Sequence, residues 1–219
     1  MSKLIETPNL IIQKYKSIDT SGCEIFLNCP GSFNKKEYQY EKIWDELSSS
    51  DNCLFIDLNK EGEYNIYSIF NSNGDLVEYR LVLSPELDQN YQEGENSHED
   101  SKISYYGYLY VDPKLMICDP ASYVNGETIT LEILKKSQDD KEMALCDFGE
   151  SIDNLSLLVY VYEVTDEDDE VSEYRLLISK EGVEKYYQMC GLKTEESLEE
   201  SLEEIPEEEK KEESEEKKE

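Results

Sequence analysis

Six residues in this chain stand out by type and by recurrence. Asp19 and Asp112 form one recurring pair, and Asp57 and Asp147 form another. Arg80 and Arg175 occupy the same place in two copies of one phrase, EYRLVLS (78–84) and EYRLLIS (173–179). Two carboxylates that converge in a cleft can exchange a proton with a substrate or hold a divalent cation. An arginine beside each carboxylate would instead make a buried ion pair, which is architecture before it is chemistry. Aspartate at a strand end also accepts backbone hydrogen bonds in turns, and that structural role is the preferred reading. The six are therefore retained as candidate binding residues, with no catalytic residue, metal ligand or cofactor assigned.

Other chemistry fares worse. His98 is the single histidine and lies in the polar stretch ENSHEDS, whereas triads and histidine zinc sites need an ordered imidazole beside its partner. DLNKEGEYNIYS (57–68) starts like a calcium loop, but Ser68 stands where a bidentate Glu is required, so a β-turn is expected. The DFG at 147–149 has no glycine-rich loop, strand lysine or H-R-D partner.

The elements that would position the six residues come in duplicate. NSNGDLVEYRLVLSPE (71–86) matches TDEDDEVSEYRLLISKE (165–181), NCLFIDL (52–58) matches MALCDFG (143–149), and EIFLNCP (24–30) matches KLMICDP (114–120). SID (17–19) faces YVD (110–112), so four blocks keep colinear order. This predicts two tandem homologous units, about 13–93 and 104–191, and four segments: unit one within 1–93, a polar linker at 94–103, unit two at 104–191 and an acidic tail at 192–219.

Each unit reads as an antiparallel β-meander with a short helix or two, giving a mainly β (α+β) protein. Runs such as YYGYLYVD and LSLLVYVYEV are rich in Tyr, Val and Leu, and NSNGD carries an Asn-Gly hairpin turn. Tyr40, Ile43, Trp44 and Leu47 recur at helical spacing over 34–50. Ser84 before Pro85 predicts a helix start, and Ser179 predicts a second one ending at Gly191.

Charge narrows the partners. The 219 residues carry 52 acidic and 21 basic side chains, a net of −31. Such a chain repels phosphate backbones and anionic membranes and suits a basic protein surface. From Thr194 onward 14 Glu and 4 Lys give −10, and the tail is expected to be disordered because it cannot bury enough to offset ordering. Six cysteines without a C-x-x-C pair, the absence of a signal-like start and the lack of a long apolar run predict a reduced, cytoplasmic protein.

VDPKLMICDPASYV (111–124) resembles a motif of small uncharacterised bacterial and phage proteins: Val-Asp-Ser-Gly-Gln, two or three apolar residues, then Asp-Pro-x-Tyr. Asp112, Asp119, Pro120 and Tyr123 match it, but the Ser-Gly-Gln is missing. IDTSGCEIFLNCP (18–30) has the complementary part, Asp19, Ser21 and Gly22, with Cys29 in place of the Asp before Pro30. The resemblance implies a β-rich fold and no mechanism.

The reading that results is a non-catalytic acidic interaction module for a basic protein partner, with a nucleic-acid-mimicking inhibitor as a special case. The rival is a carboxylate- or divalent-metal-dependent enzyme with its site between the units.

Overall fold

Short runs in which apolar side chains point both ways can be buried on two faces, and runs that alternate can cover one side of a core. The computed structural model describes residues 2–3, 10–29, 38–39, 53–95, 101–111, 114–119, 128–129, 141–148 and 157–178. In chain order these form β1 (Ser2–Lys3), β2 (Ile11–Thr20), β3 (Glu24–Asn28), β4 (Tyr38–Gln39), β5 (Cys53–Asp57), β6 (Gly62–Phe70) and β7 (Leu76–Val82). Helix α1 (Pro85–Glu93) follows, then β8 (Lys102–Val111), β9 (Lys114–Cys118), β10 (Thr128–Ile129), β11 (Met143–Asp147), β12 (Leu157–Thr165) and β13 (Val171–Leu177).

Every pairing is antiparallel. A seven-stranded sheet runs β1-β8-β12-β13-β7-β6-β2, a four-stranded sheet runs β11-β9-β3-β5, and β10 pairs with β4 as a ribbon. The strands of each half are thus divided between the sheets. Instead of a plain meander, β2 pairs with β6 across an excursion through β3 and β5.

One apolar cluster fills the space between the large sheets. It joins Ile25, Leu27, Ile56, Leu115, Ile117 and Cys146 of the smaller sheet to Ile18, Ile66, Leu81, Leu109, Val161 and Leu176 of the larger one. Side chains alternate along each strand, so the other face of the four-stranded sheet holds a second cluster of Phe26, Cys53, Met116, Cys118 and Met143. That double burial explains why EIFLN and KLMIC read as continuous apolar runs.

Two β-bulges stitch the sheets together. Register skips Tyr15 in β2 and Tyr106 in β8, each an extra residue opposite a continuous partner strand. A bulge re-aims the side chain it carries. Tyr15 donates its hydroxyl to the Leu145 carbonyl at 2.5 Å, and Tyr106 donates to the Phe55 carbonyl at 2.5 Å. Tyr15 also meets Tyr79 edge-on at 5.2 Å, and Tyr106 meets Tyr174 in the same way at 5.2 Å.

Turn chemistry closes the hairpins. The Asn71 side chain accepts from the N–H groups of Asn73 and Asp75, both at 2.9 Å, between β6 and β7. Asp166 does the same for Asp168 at 3.0 Å and Glu170 at 2.9 Å, between β12 and β13. The left-handed residue these turns require is Gly74 (φ 85°) in one and Asp169 (φ 62°) in the other, and Asp is among the few non-glycine residues that tolerate it.

Helix α1 starts where the Ser-Pro pair predicts. The Ser84 hydroxyl accepts from the Leu87 N–H at 3.3 Å, Pro85 opens the first turn, and Gly94 ends the helix with φ 81°. The expected helix over 34–50 is corrected at its start, because Tyr38 and Gln39 are strand residues paired with Ile129 and Thr128. Tyrosine and β-branched partners favour that ladder over a helical turn. The remainder of that segment, the expected helix after Ser179, His98 and the acidic tail lie outside the described residues.

Leu27 and Ile117 are register partners at the middle of the four-stranded sheet, and both are fully buried. Leu27→Ala is expected to cost about 2–5 kcal/mol, read as a lower urea midpoint with an unchanged slope.

Candidate functional site

In an extended strand, residues two apart share a face, so the Glu-x-Arg of each EYR phrase sets an acid and a base side by side. β7 and β13 pair with Arg80 opposite Arg175. Both guanidinium groups lie on the face turned away from the inter-sheet core, and both are buried, as are Glu78 and Glu173. Arg80 Nε donates to Glu78 Oε1 at 2.7 Å, with its terminal nitrogen 2.5 Å from the same oxygen. Arg175 Nε donates to Glu173 Oε1 at 2.7 Å.

Tyr91 of α1 ties the two pairs together. Its hydroxyl accepts from Arg80 Nη1 at 2.5 Å and donates to Glu173 Oε2 at 2.8 Å. Arg80 also lies over the Tyr91 ring, 5.6 Å from its centroid. Two opposed cations in a dry environment repel strongly, and the two carboxylates neutralise them.

The expected pairing of these arginines with the recurring aspartates is therefore corrected. Their partners are Glu78 and Glu173, because a side chain two residues away on the same face is nearer than any strand end. The signal was present in the EYR phrase itself.

The aspartates sit elsewhere. Asp57 and Asp147 are the last residues of β5 and β11, and both are exposed. Asp147 lies 3.5 Å from Lys114 Nζ across the ladder, and its carbonyl accepts from the Tyr79 hydroxyl at 2.7 Å. Asp57 faces Glu24 in register. Asp19, next to last in β2, donates its N–H to the Lys141 carbonyl at 2.7 Å and has its carboxylate 3.5 Å from Lys141 Nζ. Asp112 lies outside the described residues. In register, Ile18 faces Tyr64 and Leu109 faces Val159.

A carboxylate that is brought into contact is Asp119. It is buried and accepts from both the N–H and the hydroxyl of Ser21, each at 2.9 Å. Ser21 lies between β2 and β3, and Asp119 directly follows β9. Among the described residues no group of three or more His, Cys, Asp or Glu side chains is arranged to hold a metal ion.

Burial governs the titrating groups. It pushes the Cys53 thiol up to about 12 and raises Cys118 and Cys146 further. Burial also raises Tyr79, helped by Cys146 and Tyr15, and Tyr174, helped by Tyr106, Glu163 and Asp57. For Tyr67, burial is joined by the hydrogen bond to Asp88. The fold thus favours the neutral acid at every one of these positions.

The comparisons add no relative: no family model, no curated protein and no solved structure matches this chain.

Two predictions follow from these contacts. Arg80→Met removes the guanidinium bonded to buried Glu78 Oε1 and is expected to cost about 3–5 kcal/mol in urea denaturation, whereas the double variant Glu78→Leu/Arg80→Met recovers much of that loss. The second concerns pH. Below the ordinary thiol and phenol range of about 8.5–10, folded and unfolded chains are both protonated, and the contribution of these groups is complete. Above that range the unfolded chain releases protons that the folded chain keeps, so stability falls with rising pH towards the folded value near 12 for Cys53. Urea midpoints measured across this alkaline range are expected to decline.

Proposed function

We propose that this chain is a non-catalytic, acidic interaction module that binds a basic protein partner, with mimicry of nucleic acid by ordered carboxylates as a special case. The observation that carries this reading is the net charge of −31, combined with the exposed placement of Asp57 and Asp147 at strand ends. An excess of one sign speeds encounter with an oppositely charged surface and makes binding sensitive to salt. The tail from Thr194, at −10, adds to the same field.

The module is built from two homologous halves, 13–93 and 104–191. Support comes from the strand order, which reads the same from either side of the β7–β13 seam when β2, β6 and β7 are matched with β8, β12 and β13. The matched bulges at Tyr15 and Tyr106 and the matched turns at Asn71 and Asp166 agree with it. Kinship with the Val-Asp-Ser-Gly-Gln…Asp-Pro proteins is supported by the Ser21–Asp119 contact, in which each half supplies the piece the other lacks. A cytoplasmic setting is in keeping with Cys53, Cys118 and Cys146 as buried thiols. Among the described residues no helix is long and apolar enough to cross a membrane.

The test is a pull-down with the full chain. A discrete basic partner retained at low salt and released at high salt supports the module. A thermal shift of several degrees with one of Ca²⁺, Mg²⁺ or Mn²⁺ after chelation, with no salt-sensitive partner, overturns it in favour of a metal-dependent enzyme.

A further inference from the structure

The outer face of the seven-stranded sheet differs between its two sides. Over β6 and β7, helix α1 seats Leu87 and Tyr91 on Tyr67, Ile69 and Val82. Over β8 and β12, a row of tyrosines meets solvent: Tyr105, Tyr108 and Tyr110 are 43%, 41% and 43% exposed. Tyr160 connects them, with ring centroids 6.3 Å from Tyr105 and 6.3 Å from Tyr108, and Tyr108 lies 5.9 Å from Tyr110.

The same strand is a sheet edge. Among the described residues, β8 pairs on the side away from β12 only through Lys102 and Ile103, opposite Lys3 and Ser2. Among the described residues, the main-chain groups of 104–111 on that side pair with no strand and lie beside an aromatic row, the arrangement that strand addition uses.

Charge selects the occupant. A second copy would bring −31 against −31, and nucleic acid carries the same unfavourable sign. Arginine side chains are favoured by the field and stack on tyrosine faces. Lys102, near one end of the row, is already held by Asp169 at 2.5 Å. A strand offers side chains to one face at every second residue, which is the spacing of Tyr108 and Tyr110.

We infer that the Tyr105–Tyr108–Tyr110–Tyr160 face and the adjoining edge of β8 receive an extended arginine-bearing segment of a basic partner, added as a strand with alternate side chains on the rings. This rests on the basic-partner reading and gives that reading a location.

Fluorescence anisotropy with two labelled peptides of equal composition tests it: one alternates Arg and Thr, and the other places the same residues in two blocks. The alternating peptide is expected to bind the full chain more tightly. The variant Tyr108→Ser/Tyr110→Ser is expected to weaken it about tenfold with an unchanged melting temperature. Tyr108→Leu/Tyr110→Leu, which retains bulk without the ring face, is expected to show the same loss. Equal binding of both peptides, unaltered in either variant, would overturn this location while leaving a basic partner in place. Binding of neither peptide at low salt would overturn both.

Discussion

Two guanidinium groups face one another across the β7–β13 ladder, sealed from water, and a fold that brings them together has to neutralise them. Glu78 and Glu173 do so from the same strands, and the Tyr91 hydroxyl spans the gap between the two pairs. The contact fixes more than charge. Tyr91 belongs to α1, so the network also sets where the helix lies on the sheet. A buried ionic cluster of this kind contributes less to net stability than an apolar replacement of equal shape would, because desolvation offsets most of the attraction. What it supplies here is geometric discrimination: a slip of one residue in the β7–β13 register would turn one of the two arginines towards the apolar core between the sheets and break its contact with the other pair.

That seam separates two electrostatic regimes. Inside, cations and anions are matched and the cysteines and tyrosines are held neutral. Outside, carboxylates at strand ends contribute to an unbalanced negative field. The inner regime holds the two sheets together, and the outer one is the field on which the proposed basic partner depends. Asp57 and Asp147 belong to the outer regime, although their repetition in the sequence suggested a shared site.

The sequence made the strands legible because apolar alternation and the Asn-Gly turn are local signals. The helix after Ser84 was legible for the same reason, since a cap and a first-turn proline act within four residues. Partner choice was harder to read. The EYR phrase contained the acid and the base of each buried pair, but recurring aspartates drew the pairing away from an acid two positions distant. The bulges at Tyr15 and Tyr106 leave no local mark, because a skipped residue shows only against its partner strand. Helical spacing over 34–50 likewise gave no warning of the strand pair at Tyr38 and Gln39, because its partner lies ninety residues away.

Both sheets have their central ladder between strands from opposite halves of the chain: β7 with β13 in one, β3 with β9 in the other. Arg80 and Arg175 meet although they stand 95 positions apart in the chain. Closing so long a loop carries an entropic cost that must be met before the contacts it permits can stabilise anything, and chains of this kind fold slowly. On the ribosome, the first half would emerge with two raw strand edges, β7 and β3, and would have to keep them from other chains until its complement had been synthesised.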